Sequence, residues 1–252
     1  AKTWVVKLRK GIEFHSGKTF DADDAIASIE HHRGEDSTSD AKSVANSMGS
    51  ISKDGPNTLI FDLESGNVDF PYLLSDYHIL MGSADKSGHV DWASGDGTGS
   101  FVVKEFEPGV RGHLVRNPNY FKPGCANFDE VKITAINDPA ARMNAMATGQ
   151  FDAIVRCDLK TAPMLEKKDG ISVIQVSGTK HFTYPMDVRQ APFDDNNVRM
   201  ALKHAIDREA FVNVVLRGYG SVGNDHPIGS NQNYHAGDLP QRQYDIDKAK
   251  WY

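Results

Sequence analysis

Cysteine is nearly absent: Cys125 and Cys157 are the only two in 252 residues. Two are too few for a disulfide-stapled scaffold, and they leave the redox compartment open. Long apolar runs are also missing, and nothing approaches the ~18 residues that a membrane-crossing helix needs. No block of lysine and arginine occurs, and the formal net charge is −6. That argues against a nucleic-acid partner, because phosphate contacts require clustered cations. No signal-peptide pattern precedes the strand-like "TWVVKLRKG" at the start. The spacings of common catalytic centres are missing too: no Gly-x-Ser-x-Gly elbow, no His-Glu-x-x-His and no calcium loop. His31 and His32 are neighbours on a helix and point apart, which makes them poor joint metal ligands. Cys157 has no defined histidine partner, and Asp194-Asp195 fits ordinary helix capping better than paired acid–base chemistry. No catalytic residue, resident metal or cofactor is therefore expected.

What remains is the composition of an ordinary globular chain, with 39% hydrophobic residues and 22 glycines. One stretch, "GIEFHSGKTFDADD" at 11–24, invites a nucleotide reading, because Gly17-Lys18-Thr19 resembles the end of a phosphate-binding loop. The spacing argues against it. Such a loop needs four residues between its glycines so that consecutive backbone N–H groups wrap the phosphates, and five separate Gly11 from Gly17. Its helix should begin at the Lys-Thr. Here the better cap is Asp21, followed by Ala22, Ala25, Ile26 and Ile29 at helical spacing. The stretch is expected to be a turn between a strand and a helix.

Along the chain, strands are expected at 3–9 and around Leu59, Phe61 and Leu63, with helices at 22–33 and near 41–48. "EPGVRG" joins two strands as a hairpin, 101–106 with 113–116. From 131 onward a strand, a helix opening at Asp138-Pro139 and stopped by Gly149, "FDAIV", the helix "LKTAPMLEKK" and "ISVIQV" alternate. That rhythm predicts a parallel sheet. It would hold Cys125 and Cys157 roughly 15–20 Å apart, beyond the ~6 Å that a disulfide tolerates, so two free thiols are expected. Asp195, Asp207 and Asp245 each cap a further helix. The chain stops inside the last of these helices, which suggests truncation at that end.

Four stretches, in order, carry a resemblance: "WVVKLRKGIEFHSGKTFDADDAIASI", "GTGSFVVKEFEPGVRGHLVRNPNYF", "FDEVKITAINDPAARMNAMATGQFDA" and "APFDDNNVRMALKHAIDREAFVNVVLRGYG". They are similar to the extracellular solute-binding proteins of peptide- and nickel-type ABC transporters, solute-binding family 5. "GNDHPIG" and "LPQRQYDIDKAK" resemble its peptide-binding branch. Two departures stand out: Ser100-Phe101 replaces the usual Pro-Tyr, and Met186-Asp187 stands where an asparagine commonly follows aromatics.

The resemblance implies an α/β, two-lobed periplasmic-binding-protein type II fold with mixed sheets and flanking helices, incomplete at both ends. It places 1–178 in a first lobe, 179–186 in a crossover or hinge, and 187–252 at the start of a second lobe. It implies a periplasmic binding component of an ABC importer, expected as a monomer. This component would capture a small peptide or related solute for the membrane permease subunits, without catalysis or cofactor. The chain alone would bind peptide weakly or not at all. The implied cleft residues are His78 (in the segment Asp76–His78), Gly99, Ser100 and Phe101 (in the loop from Gly97), and Tyr184, Met186 and Asp187. For each a purely structural reading competes: the glycines serve a turn, or Tyr184 fills a core. Two other functions stay open: the ligand-sensing domain of a transcriptional regulator, and an importer component for a metal chelate, an opine or a sugar.

Overall fold

The computed structural model of the chain describes residues 1–176, 178–223 and 225–252. Ser177, at the end of the expected first-lobe span, and Asn224, in "GNDHPIG", lie outside the described residues. The fold divides into two compact units, Ala1–Ala135 and Ile136–Tyr252.

The first unit opens with β1 (Thr3–Lys7) and α1 (Ala22–Glu30). Helix α1 begins where a carboxylate can satisfy its orphan donors. The Asp21 side chain accepts from the N–H groups of Asp23 and Asp24, and Asp24 reaches back to the Asp21 N–H, a complete capping box. Then come α2 (Lys42–Ser47), β2 (Ser50–Lys53), β3 (Thr58–Asp62) and the short α3 (Phe70–Leu73). Strand β3 lies between β1 and β2, antiparallel to both, so that Phe61 faces Trp4 on one side and Ile51 on the other. Phe61 and Phe70 are fully buried with ring centroids 4.9 Å apart. With Ala22, Ala25 and Ile29 of α1 they form the centre of the core. Burying one such aromatic or aliphatic side chain contributes roughly 1.5–3 kcal/mol.

A second sheet follows: β4 (Phe101–Glu107), β5 (Arg111–Arg116) and β6 (Glu130–Thr134), antiparallel in that order. The expected hairpin is β4–β5, and a bulge between Val103 and Glu105 shifts its register. Strand β6 pairs with β5 and with no later segment among the described residues.

The second unit contains α4 (Pro139–Ala147), α5 (Ala162–Glu166) and α6 (Asn196–Ala205). Next come α7 (Arg208–Ala210), continued by a π-helical turn at Phe211–Val215, and α8 (Ile246–Trp251). Asp138, Asp195, Asp207 and Asp245 cap α4, α6, α7 and α8 with their side chains, as the sequence predicts.

The expected parallel sheet is not formed among the described residues. "FDAIV" at 151–155 and "ISVIQV" at 171–176 form no strand and pair with nothing described, and Val155, Ile174 and Val176 are exposed. Alternating apolar residues make a strand only where a neighbouring ladder takes up the backbone groups and covers a face. The two thiols are free, Cys125 exposed and Cys157 half-buried. That expectation holds, although the parallel strands from which it was argued do not form. Burial, then the Asp158 and Glu166 carboxylates, push the Cys157 thiol pKa up, which favours an inert thiol over a nucleophile.

Candidate functional site

The "FHSGKTF" turn is tight: Phe14 N–H donates to Lys18 O at 2.8 Å, and Gly17 N–H to Phe14 O at 2.9 Å. Its lysine does not wait for a phosphate. Lys18 Nζ pairs with the fully buried Asp24 and donates to Ala84 O at 2.6 Å. Asp24 also accepts from Ala84 N–H at 2.8 Å. One turn on in α1, Ser28 Oγ accepts from Gly82 N–H at 3.0 Å. The polar residues of this motif therefore fasten the segment Gly82–Ala84 onto α1.

The other face of the same turn organises the glycine loop ahead of β4. His15 N–H donates to Gly97 O at 2.9 Å, and His15 Nε2 lies 3.0 Å from Gly99 O. A carbonyl oxygen only accepts, so Nε2 carries the proton. From the end of β5, the buried Asn117 donates through Nδ2 to the same Gly99 oxygen at 3.0 Å, and its N–H donates to Ser100 O at 3.0 Å. Ser16 holds the Asp96 carboxylate through its N–H at 2.8 Å and its hydroxyl at 2.7 Å. Gly99, Ser100 and Phe101 are thus consecutive on a loop tied at both ends. His15, Ser16 and Asn117 were not singled out from the sequence, because His15 and Gly99 are 84 residues apart and no local pattern links them.

His78 belongs to a different cluster in the same unit. Its Nδ1 lies 2.8 Å from Asp76 Oδ1, its Nε2 lies 3.9 Å from Asp40 Oδ2, and its ring lies 3.8 Å from that of Tyr77. The His78 backbone N–H, then its ring, hold the Asp76 carboxyl below the usual range. Beside this cluster, at the end of α1, His32 is buried. Its Nδ1 lies 2.7 Å from Ser39 Oγ, and its Nε2 has no partner among the described residues. Burial first, then the rings of His31 and His78, lower the His32 pKa, with Asp76 opposing. The unfolded ring, near 6.5, therefore takes up a proton before the folded one does. The stability that neutral His32 contributes is complete above about pH 6.5 and is lost as the pH falls from there toward the lowered folded value. Melting temperature should drop between about pH 7.5 and 5.5, and by less in His32→Asn, which keeps a donor for Ser39 and cannot titrate. Equal drops would exclude His32 as a source.

In the second unit, Tyr184, Met186 and Asp187 lie on a stretch without regular secondary structure, with Tyr184 exposed. Asp187 takes both oxygens of its carboxylate to Arg189, each at 2.9 Å. That side-chain pairing, then the Arg189 N–H, hold its pKa down. No group of three or more metal-binding side chains is assembled among the described residues, and no helix there is long and apolar enough to cross a membrane.

This arrangement, antiparallel sheets with flanking helices and a tethered glycine loop, has the fold of type II periplasmic binding proteins. A nickel-binding protein from Campylobacter jejuni, NikZ, solved with Ni(L-His), superimposes with a TM-score of 0.83 at 20% identity, over 98% of this chain and 50% of that one. The oligopeptide-binding protein AppA from Bacillus subtilis, solved with a nonapeptide, superimposes with a TM-score of 0.75 at 25% identity, over 99% of this chain and 51% of that one. In sequence, AppA is 29% identical over 97% of this chain and 47% of its own length. The chain belongs to the bacterial extracellular solute-binding proteins, family 5, whose middle-region model matches residues 1–252. It spans about half the length of the relatives it matches.

Proposed function

We propose that this chain is part of the substrate-binding component of an ABC importer, working outside the cytoplasmic membrane, that captures peptides and hands them to the permease. The observation that carries this reading is the family match over all 252 residues, together with the similarity to an oligopeptide-binding protein over nearly the whole chain. The proposed lobes are 1–178 and 187 onward, with 179–186 as the crossover. The cleft residues would be His78, Gly99, Ser100 and Phe101 from the first lobe, and Tyr184, Met186 and Asp187 from beyond the crossover.

The mechanism needs no bond chemistry. An open and a closed arrangement of the intact protein exchange by hinge bending. A solute shifts that equilibrium only through contacts it makes better in the closed form. A peptide offers strand-like backbone hydrogen bonding, while its side chains occupy permissive, hydrated pockets. A small metal chelate is the competing cargo, favoured by the likeness to the structure that holds Ni(L-His).

Native mass spectrometry of the full-length gene product, purified from cells without denaturation, separates the two. Bound masses in the range of short peptides are expected. A uniform metal-chelate mass instead would overturn the peptide reading and leave the importer reading in place.

A further inference from the structure

The loop Gly97–Ser100 is one-sided. Three of its four carbonyl oxygens are engaged from within the unit: Gly97 O by His15 N–H, Gly99 O by His15 Nε2 and Asn117 Nδ2, and Ser100 O by Asn117 N–H. None of its four N–H groups meets an acceptor among the described residues, and neither does the Thr98 or Ser100 hydroxyl. Acceptors are consumed inward and donors are left over. Backbone N–H groups left over in this way carry partial positive charge and are free to bind oxygen acceptors.

The glycines supply a second, independent observation. Neither Gly97 nor Gly99 has a positive φ, so neither backbone conformation demands glycine. Nor does the packing: a Cβ would meet nothing closer than His15 Cε1 at 3.9 Å at Gly97, and Phe101 O at 4.0 Å at Gly99, both ordinary contacts. Glycine carries an entropic cost, and alanine at such positions would stabilise the chain slightly. A missing Cβ also lets another molecule approach the backbone closely. The carboxylate of Asp96, next to the loop in sequence, is turned to Ser16 and occupied there.

We infer that the Gly97–Ser100 loop is a backbone cradle for an oxygen acceptor of the bound solute, a peptide carbonyl or a carboxylate, with His15 and Asn117 as the positioning residues that aim its N–H groups. This rests on the reading of the loop as part of the solute cleft and adds the chemical group it takes. His15 touches no solute in this account; it acts through Gly99.

The test uses the full-length gene product and a synthetic pool of di- to pentapeptides, each with a free and an amidated C terminus. Gly97→Ala and Gly99→Ala should leave the melting temperature unchanged within about 2 °C. Each should weaken the best-bound peptide by about tenfold or more, because an added methyl group narrows the approach to the loop backbone. Asn117→Asp, which keeps the shape but replaces the donor to Gly99 O with an acceptor, should weaken binding at neutral pH. Asn117→Gln, which keeps the donor, should restore part of it. Weakening confined to free C termini identifies a carboxylate, and equal weakening with amidated peptides identifies a backbone carbonyl. Unchanged affinity in both glycine variants would overturn the cradle. If no peptide binds the wild type, the peptide reading fails separately, and acetate then tests the cradle alone. Acetate should move the amide NMR signals of residues 97–100 ahead of the others, and unmoved signals would overturn the inference.

Discussion

Asp24→Ala is expected to destabilise the protein by about 3–5 kcal/mol, the summed cost of two stranded amide donors and a lost helix cap. The Asp24 side chain is completely buried and serves three donors: Lys18 Nζ, Ala84 N–H and Asp21 N–H. Alanine leaves the two amide donors without their acceptor and strips the capping box from the start of α1. Lys18→Met should also destabilise, because it leaves the fully buried Asp24 carboxylate without its counter-charge, eased by the two amide donors that Asp24 keeps. Urea unfolding of both variants gives the comparison. An Asp24→Ala cost below about 1 kcal/mol would mean that Gly82–Ala84 is not fastened through this carboxylate.

Gly49→Ala is expected to cost roughly 2–5 kcal/mol, combining a left-handed backbone with a steric overlap that the sheet must relieve. Gly49 has φ +64°, and a Cβ built there would stand 2.0 Å from Asp62 O and 2.8 Å from Asp62 C. Both atoms are main chain at the end of β3, the central strand, and cannot swing away as a side chain would. Gly55 provides the control: its φ is +71°, but a Cβ would meet nothing within 4 Å. Gly55→Ala should therefore show the conformational part alone, about 1–2 kcal/mol. Equal costs at the two positions, read from the same urea titrations, would show that the approach of Gly49 to β3 is not tight.

Much of the fold was legible because its signals are local. Asp21, Asp138, Asp195, Asp207 and Asp245 each announce a helix start through a short-range hydrogen bond. The β4–β5 hairpin is likewise set by the turn between its strands. The run from 151 to 176 misled for the opposite reason. Alternation in "FDAIV" and "ISVIQV" states a preference for a pleated surface, but pairing is decided by a partner that the stretch itself does not contain.

The site divides the same way. Glycine enrichment marks the 97–101 loop, and the family resemblance gave it a role. What makes the loop specific, the two donors on Gly99 O, comes from His15 and Asn117, which no spacing rule connects to it. Lys18 illustrates the reverse. Its motif suggested an anion, and its contacts show that the anion is the protein's own Asp24.

The most direct test of the central claim, that the intact protein shuts around a small solute, is small-angle X-ray scattering of the full-length gene product. It would be recorded first after stripping bound solute and again after saturating with the best peptide of the pool. A smaller radius of gyration with peptide bound is the predicted result, since closure brings the two lobes together. Superimposable curves at proven saturation would contradict it.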